Sequence, residues 1–354
     1  MINLKWDTIC VLVVDDNAFM RKLLTSALNT FGIKNVIQEV DGVGAIERLK
    51  LSRTDPMAAG LGEVDLILSD YMMPGIDGNL FLRWIRTGEG APDRFVPFVM
   101  VSGVASRDVV QDARDAGVTG VVAKPFSVKS LADNILAVIN SHRQFVLARG
   151  YFGPDRRRSM MVVPNERRST TSKQIQTVTP DSKVRTLRDD VRAIYFLPDN
   201  RLRVKLGAEG LRRPVEFDPQ VIRAAEARIH ALVGDYAAWV QKYFESMGES
   251  LAGLTPCEVP NKANRGHIIN INRIAHELHD QGGTFDYQLI TEFGLSLYRA
   301  TDDPDMEISE NTLSLIEAHI DAMRTVFKNR IQGNGGEVGA QLLDEIKRAV
   351  EKYT

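Results

Sequence analysis

The chain has 354 residues, of which 44% are hydrophobic and 25% charged. This length exceeds the size at which one hydrophobic core usually stops growing, and the composition is that of globular proteins, so we expect about two domains and exclude wholesale disorder. The 44 basic and 46 acidic residues leave a formal charge of −2. The overall charge therefore gives no reason to bind nucleic acid or an anionic membrane.

Two further features concern the compartment. The chain has only two cysteines, Cys10 and Cys257, which do not form a disulfide framework or a zinc-binding pattern. No apolar run approaches the ~18 residues of a membrane-spanning helix, and the first apolar run, residues 9–14, is not followed by a signal-peptide cleavage site. We therefore expect a cytoplasmic protein that does not enter the membrane.

The first 140 or so residues alternate short β-branched apolar runs with segments of helical periodicity. This alternation is typical of a parallel sheet covered by helices on both faces. Gly32 follows the first helical segment, where a C-terminal glycine is common. The pattern predicts an α/β fold with five strand–helix units, (βα)5. The five runs are residues 9–14, 35–40, 65–69, 97–101 and 120–123.

Residues with reactive side chains follow these runs. Asp15 and Asp16 follow the first run, Asp70 follows the third, and Ser102 and Lys124 follow the fourth and fifth. Ligands of such folds gather at the carboxyl ends of the strands, so these side chains are expected to converge. Three carboxylates repel each other unless a cation neutralises them, and their hard oxygens suit Mg²⁺. A hydroxyl and an ammonium beside the metal would serve phosphoryl transfer, with Asp70 as the nucleophile.

Four segments in this order, DD at 15–16, DYMMPGIDG from 70, SG at 102–103 and KPF at 124–126, closely resemble the receiver domain of two-component response regulators. The resemblance covers roughly residues 8–140, from which we predict a receiver domain at 8–141, and it implies the CheY-like, flavodoxin-like fold. It implies that a sensor histidine kinase or phosphotransfer protein phosphorylates Asp70. The further roles it implies are Mg²⁺ binding by Asp15, Asp16, Asp70 and the backbone carbonyl of Met72, and phosphoryl contacts from Ser102 and Lys124.

The chain departs from this family at one position. The family often carries Tyr or Phe three residues before the lysine as a switch, whereas this chain has Val121. We expect phosphorylation but not signalling through an aromatic rotamer. No enzymatic motif follows residue 140, so we predict a signalling protein that is not an enzyme beyond its own phosphorylation and dephosphorylation.

Residues 142–216 are interpreted as a basic, flexible linker. The span 142–188 has eleven basic and three acidic residues and is rich in Ser, Thr and Pro. Its arginine run at 156–158 is read first as a solvated linker, next as a contact for an acidic protein partner, and last as a nucleic-acid contact, because no helix-turn-helix accompanies it. A small hairpin is predicted from 194–197 and 202–206.

Residues 217–354 are predicted to form an α-helical bundle. Within it, AHELHDQGGTF around His276 partly resembles a histidine phosphotransfer (Hpt) domain, although His279 and Asp280 replace that family's Lys and Gly. A helical wheel places His276 about 150° from the apolar face, so we expect it to be exposed. Active phosphotransfer and an inactive interaction bundle both remain open. A metal site on His276 and His279 lacks a third ligand.

These observations predict a response regulator of a phosphorelay that is phosphorylated on Asp70. The receiver would signal through the helical half to a downstream protein partner. Alternatively, the receiver would exchange phosphate with the helical half, through His276. The alternative is a receiver that serves as a scaffold for a constitutive protein-interaction bundle.

Overall fold

The computed structural model describes residues 4–54, 63–103, 107–124, 126–141, 143–156, 175–178, 185–187 and 191–353. The chain divides into two compact units. One comprises Met1–Ala123 with Ser127–Ile229, and the other Lys124–Phe126 with His230–Thr354. The predicted domain limits, 8–141, 142–216 and 217–354, stay predictions. Across the described residues, we find no helix with the length and apolarity needed to span a bilayer. Both cysteines are free thiols.

The first unit contains a five-stranded parallel sheet in the order β2-β1-β3-β4-β5. Every residue of β1, β3 and β4 is buried, as expected for strands covered on both faces. The predicted (βα)5 fold is confirmed. The strands are β1 (Cys10–Val14), β2 (Asn35–Glu39), β3 (Leu66–Asp70), β4 (Phe98–Ser102) and β5 (Gly120–Ala123).

Five helices follow these strands, and side-chain caps define where three of them begin. The side chains of Asn17, Asp77 and Ser127 accept backbone N–H groups at the first turns of α1, α3 and α5. Gly32 adopts φ +95° just after the first helix, as its sequence position predicted. The helices are α1 (Ala18–Thr30), α2 (Gly42–Thr54), α3 (Gly78–Thr87), α4 (Arg107–Ala116) and α5 (Val128–Asn140).

A second, four-stranded sheet follows, in the order β7-β6-β9-β8. Its strands are β6 (Phe145–Ala148), β7 (Tyr151–Pro154), β8 (Ile175–Val178) and β9 (Ala193–Phe196). β6 runs antiparallel to β7 and β9, and β8 is parallel to β9. The prediction of a flexible linker over residues 142–216 is therefore wrong where the chain forms β6, β7, β8 and β9. The part of the predicted linker at 157–174 lies outside the described residues.

An aromatic cluster explains why this basic segment folds. Phe95, which precedes β4, lies 5.2 Å from Phe145, 5.5 Å from Phe152 and 5.6 Å from Phe196, measured between ring centroids. The three partners come from β6, β7 and β9. Buried residues alternate with half-buried ones along β6 and β9, and three of the four residues of β7 are buried. Burial of this apolar cluster therefore outweighs the positive charge of the intervening sequence.

The predicted hairpin at 194–197 and 202–206 is also wrong, because its second half is a helix, α6 (Arg201–Lys205). The Asn200 side chain accepts the N–H of Arg203 at the first turn of α6. Lys205 Nζ lies 2.7 Å from Asp65 Oδ1, and Arg201 Nη1 lies 3.3 Å from Asp93 Oδ2. The cap and these ion pairs favour the helix over a strand.

The second unit is helical, as predicted. Its helices are the later part of α7 (Pro219–Gly253), α8 (Lys262–Gly282), α9 (Gln288–Ala300), α10 (Glu310–Lys328) and α11 (Gly336–Tyr353). α9 packs against α8 and α10, and α11 packs against α10 and α9. Fully buried Ile271, Ile274, Leu278, Phe293 and Met323 contribute to its core.

Close packing of α8 and α9 depends on a glycine. A Cβ atom on Gly294 would lie 2.8 Å from the Ala275 carbonyl oxygen and from the His279 nitrogen. Gly294→Ala is expected to destabilise the protein by about 1–3 kcal/mol through forced backbone shifts. Gly266→Ala, in α8 with open space around the position, is the control and should stabilise by about 0.5–1 kcal/mol. Denaturant unfolding followed by circular dichroism checks both, and equal midpoints for the two variants would contradict the packing argument.

Candidate functional site

Three carboxylates meet at the carboxyl-terminal edge of the parallel sheet. Asp15 and Asp16 follow β1, and Asp70 ends β3, the strand that pairs with β1 through Val14 and Ser69. One carboxylate oxygen of each aspartate lies within 4.8 Å of those of the other two. Asp15 and Asp70 are buried, and Asp16 is half-buried. The pairing of β1 with β3 thus brings together three acids that are far apart in sequence.

Backbone amides orient two of these carboxylates. The Asn17 N–H donates to Asp15 Oδ1 at 2.9 Å, and the Tyr71 N–H donates to Asp70 Oδ1 at 2.8 Å. The main chain therefore fixes one oxygen of each of these carboxylates.

The loop after Asp70 returns tightly to the site. The Gly78 N–H donates to the Tyr71 carbonyl at 2.9 Å, and a Cβ atom on Gly78 would lie only 2.0 Å from the Asp70 carbonyl oxygen. Gly75 lies in the same loop at φ +76°, a conformation that glycine adopts without strain. Met72, whose carbonyl the family resemblance assigns to the metal, belongs to this loop.

The donor set fits a hard divalent cation. Closely spaced carboxylates repel each other, and a bound cation removes that repulsion. Mg²⁺ is commonly held by one or two carboxylates and several waters. Within the part of the chain that the structure describes, this is the one cluster of three or more acidic, His or Cys residues arranged to hold a metal. Asp15, Asp16 and Asp70 are the residues that would hold Mg²⁺ here.

This arrangement predicts a stability effect of the metal. At 100 times its dissociation constant, Mg²⁺ should raise the free energy of unfolding by about 2.7 kcal/mol. Asp15→Asn should lose most of this gain, and in EDTA it should be no less stable than the wild type, because one of the repelling charges is gone. Asp133→Asn, on the exposed face of α5, should keep the full gain. Thermal unfolding with Mg²⁺ or EDTA measures both, and an unchanged gain in Asp15→Asn would exclude this metal site.

Ser102 is placed at the same edge of the sheet. It is the last residue of β4, which pairs with β3 through Val101 and Asp70 and with β5 through Ser102 and Ala123. Its side chain is buried. Val121, at the position of the family's aromatic switch, is part of β5 and packs against the hydrophobic core.

Lys124 directly follows β5, and Lys124–Phe126 groups with the helical unit. There the Lys124 ammonium lies 3.2 Å from Asp280 Oδ2, and both side chains are buried. Burial acts to raise the pKa of Asp280, but the charges of Lys124, His276 and His279 hold it below its usual value. Sequence reasoning missed Asp280 as a partner of Lys124. The only signal was an acid at the position where the Hpt pattern has glycine.

His276 is placed differently from the prediction. Its side chain is only 13% exposed and its ring lies 5.2 Å from that of Tyr298, between centroids. Its Nε2 lies 3.9 Å from Asp280 Oδ1. The predicted exposure is wrong because the helical wheel counted only the apolar residues of α8, whereas Tyr298 comes from α9, which packs against α8. His279 is buried, and its Nδ1 lies 2.9 Å from the Thr291 carbonyl oxygen.

Comparisons with known proteins match the first part of the chain. Residues 11–136 match the family model described as the response regulator receiver domain. The chemotaxis protein CheY of Pseudomonas aeruginosa is 33% identical over 125 residues, which cover 35% of this chain and 91% of that protein. CheY-3 of Vibrio cholerae is 30% identical over 125 residues, covering 35% and 87%.

Solved structures give matches of the same extent. The receiver domain of the histidine kinase CKI1 from Arabidopsis thaliana, complexed with Mg²⁺ and BeF₃⁻, is 26% identical, with 37% of this chain and 94% of that one covered and a TM-score of 0.32. The CheX–CheY complex with BeF₃ and Mg²⁺ from Borrelia burgdorferi is 22% identical, with 39% and 97% covered and a TM-score of 0.34.

Proposed function

Because the chain belongs to the response regulator receiver family, we propose that it is a response regulator of a two-component phosphorelay, phosphorylated on Asp70. The observation that carries the proposal is the set of three carboxylates, with oxygens within 4.8 Å of one another, at the end of β1 and β3. Its phosphoryl donor is a sensor histidine kinase or a phosphotransfer protein, and it acts in the cytoplasm.

The residues of the chain divide the work as follows. A carboxylate oxygen of Asp70 attacks the phosphorus while the bond to the donor's histidine nitrogen breaks, which leaves an acyl phosphate on Asp70. Asp15, Asp16, Asp70 and the Met72 carbonyl would hold Mg²⁺, which would neutralise negative charge on the phosphoryl oxygens when bound. Ser102 donates its hydroxyl and Lys124 its ammonium to these oxygens, as the family resemblance implies. No other catalysis is proposed.

The test is to locate the phosphoryl group chemically. The full chain is incubated with radiolabelled acetyl phosphate in Mg²⁺ or in EDTA. We expect a label that forms only with Mg²⁺ and is released by hydroxylamine, as an acyl phosphate is. Borohydride reduction of a separate labelled sample, not treated with hydroxylamine, should convert residue 70, and not Asp65 or Asp77 of the same tryptic peptide, to homoserine. Homoserine at another position, or no label, would refute the proposal.

For the helical half, the proposed role is to pass the signal to a downstream protein partner by contact. The observation that favours contact over phosphotransfer is the low exposure of the half-buried His276 side chain, which lies against Tyr298 and 3.9 Å from Asp280, because a phosphotransfer histidine must reach its donor. In the alternative function, the bundle binds the same partner constitutively and the receiver is a scaffold.

The stability of the label distinguishes phosphotransfer from contact. Phosphohistidine survives alkali, whereas an acyl phosphate does not, so we expect no alkali-stable label in the full chain. An alkali-stable label that disappears in His276→Gln would instead support phosphotransfer. The scaffold alternative predicts that a pull-down recovers the same partners with wild type and Asp70→Asn in the presence of acetyl phosphate, and the proposed function predicts that they differ.

A further inference from the structure

The first unit contains a cavity of about 760 Å³ that is separate from the carboxylate site. Its walls are the end of α3, the β6–β7 hairpin and residues 185–187 and 191–192. The cavity includes Thr87, which ends α3, and Arg94, which precedes β4. It therefore lies toward the amino-terminal edge of the parallel sheet, whereas Asp70 is at the carboxyl-terminal edge.

The lining of this cavity is strongly basic. Among the described residues that line it, none is acidic and five are arginines: Arg86, Arg94, Arg149, Arg185 and Arg192. Arg149, Arg185 and Arg192 are exposed side chains. Arg149, Arg185 and Arg192 belong to the span 142–216 that the sequence predicts to be a flexible linker, and they line a defined concave surface.

The guanidinium of Arg94 is held in a fixed position. Its Cζ lies 4.4 Å from the ring centroid of Phe152, 4.8 Å from that of Phe196 and 5.1 Å from that of Phe95. The side chain is largely buried. Stacking on aromatic rings orients the planar fork of an arginine, so less entropy is lost when the fork binds an oxyanion.

Arg185 brings a second positive charge to the same place. Its Nη1 donates to the carbonyls of Thr87 and Gly88 at 3.4 and 3.2 Å, which anchors it at the end of α3. Burial and the charge of Arg185 lower the pKa of Arg94 to about 10, although Asp93 opposes the shift. Two like charges thus line the same open cavity, an arrangement that an anion stabilises.

From this geometry we infer that the cavity binds a small phosphate ester of nucleotide size. Arginines bind carboxylates and phosphates alike through two parallel hydrogen bonds. Where several guanidinium groups converge, the three acceptor oxygens and the larger negative charge of a phosphate ester favour it over a single carboxylate. The volume is far larger than a phosphate ion and within the range of small-molecule sites. The half-apolar wall formed by Leu147, Phe152 and Val191 would receive the organic part of the ester.

The test is calorimetric titration of the full chain in EDTA, which keeps the carboxylate site free of metal. The probes are pyrophosphate, ADP and adenosine. We expect ADP to bind more tightly than pyrophosphate, and adenosine not to bind, because phosphate contributes the charge pairing and the base adds contact area. Arg185→Ala should weaken ADP binding by at least about tenfold. Arg212→Ala removes the same charge at an exposed position outside the cavity and should leave binding unchanged.

Equal unfolding midpoints of Arg185→Ala and Arg212→Ala would establish that Arg185→Ala folds normally. Arg192→Ala serves as a second variant of the cavity and should also weaken ADP binding. Absence of heat for ADP and pyrophosphate at about 1 mM, the weak limit of specific binding, would overturn the inference. Equal weakening by Arg185→Ala and Arg212→Ala would also overturn it, since the effect would then be a general one of charge. Binding of a single-stranded oligonucleotide, but not of ADP, with the same Arg185 dependence would assign the cavity to nucleic acid instead.

Discussion

Asp70→Asn is expected to reduce labelling by acetyl phosphate to the background of the assay. The amide has no anionic oxygen to attack phosphorus, and it cannot form an acyl phosphate. The substitution nevertheless keeps an oxygen that can accept the Tyr71 N–H bond now made to Asp70 Oδ1, so the end of β3 should keep its conformation. Labelling kinetics with Mg²⁺ present, together with the unfolding midpoint of each variant, measure the two effects separately.

Asp77→Asn is the matched control, since it removes a carboxylate from the same loop. Asp77 caps α3 by accepting the Leu80 N–H at 2.7 Å, and Asn is as good a cap as Asp. Its labelling should equal that of the wild type. Residual label on Asp70→Asn would mean that another group of the cluster, such as Asp16, accepts the phosphoryl group, and it would contradict the assignment of Asp70.

The parallel sheet and the carboxylate cluster were predictable because one physical pattern specifies both. Strands buried on both faces read as continuous apolar runs, and the first charged residue after each run marks the edge of the sheet where the strand ends. The amino-acid sequence alone is therefore sufficient to place Asp15 near Asp70, and their carboxylates do meet in the folded chain. The strand boundaries differ from the predicted ones by a residue or so at either end.

The second sheet and the environment of His276 were not predictable in the same way. The strands β6, β7 and β9 are only four residues long, and their burial depends on Phe95, about 50 residues earlier than the nearest of them. The amino-acid composition of residues 142–188 shows a positive charge, but it contains no information about the packing of these strands against Phe95. A helical wheel likewise describes one helix alone, whereas the burial of His276 depends on Tyr298 of the next helix.

Arg86→Ala is expected to destabilise the first unit by about 3–5 kcal/mol, the cost of breaking a buried charged network. Arg86 is 1% exposed in the last turn of α3. Its guanidinium donates to the carbonyls of Gly117, Arg94 and Val96 at 2.8–2.9 Å. Burial lowers its pKa to about 10, so it stays charged at neutral pH. When Arg86 is removed, three carbonyl oxygens lose the charged hydrogen-bond donor that they accept from.

Arg86→Met separates the effect of lost side-chain volume from the effect of lost hydrogen bonds. We expect the lost hydrogen bonds to account for most of the destabilisation. Methionine fills much of the same volume but donates no hydrogen bond, so Arg86→Met should be nearly as destabilising as Arg86→Ala. Arg83 is an exposed residue of the same helix, and Arg83→Ala, the control, should lower the free energy of unfolding by less than about 0.5 kcal/mol. The Arg86 guanidinium also lies 5.3 Å from the ring centroid of Phe145 in β6. Hydrogen exchange should therefore become faster in β6 as well as at the start of β4 in both Arg86 variants. If amide exchange became faster in β4 but stayed unchanged in β6, the aromatic cluster alone, without Arg86, would stabilise the second sheet.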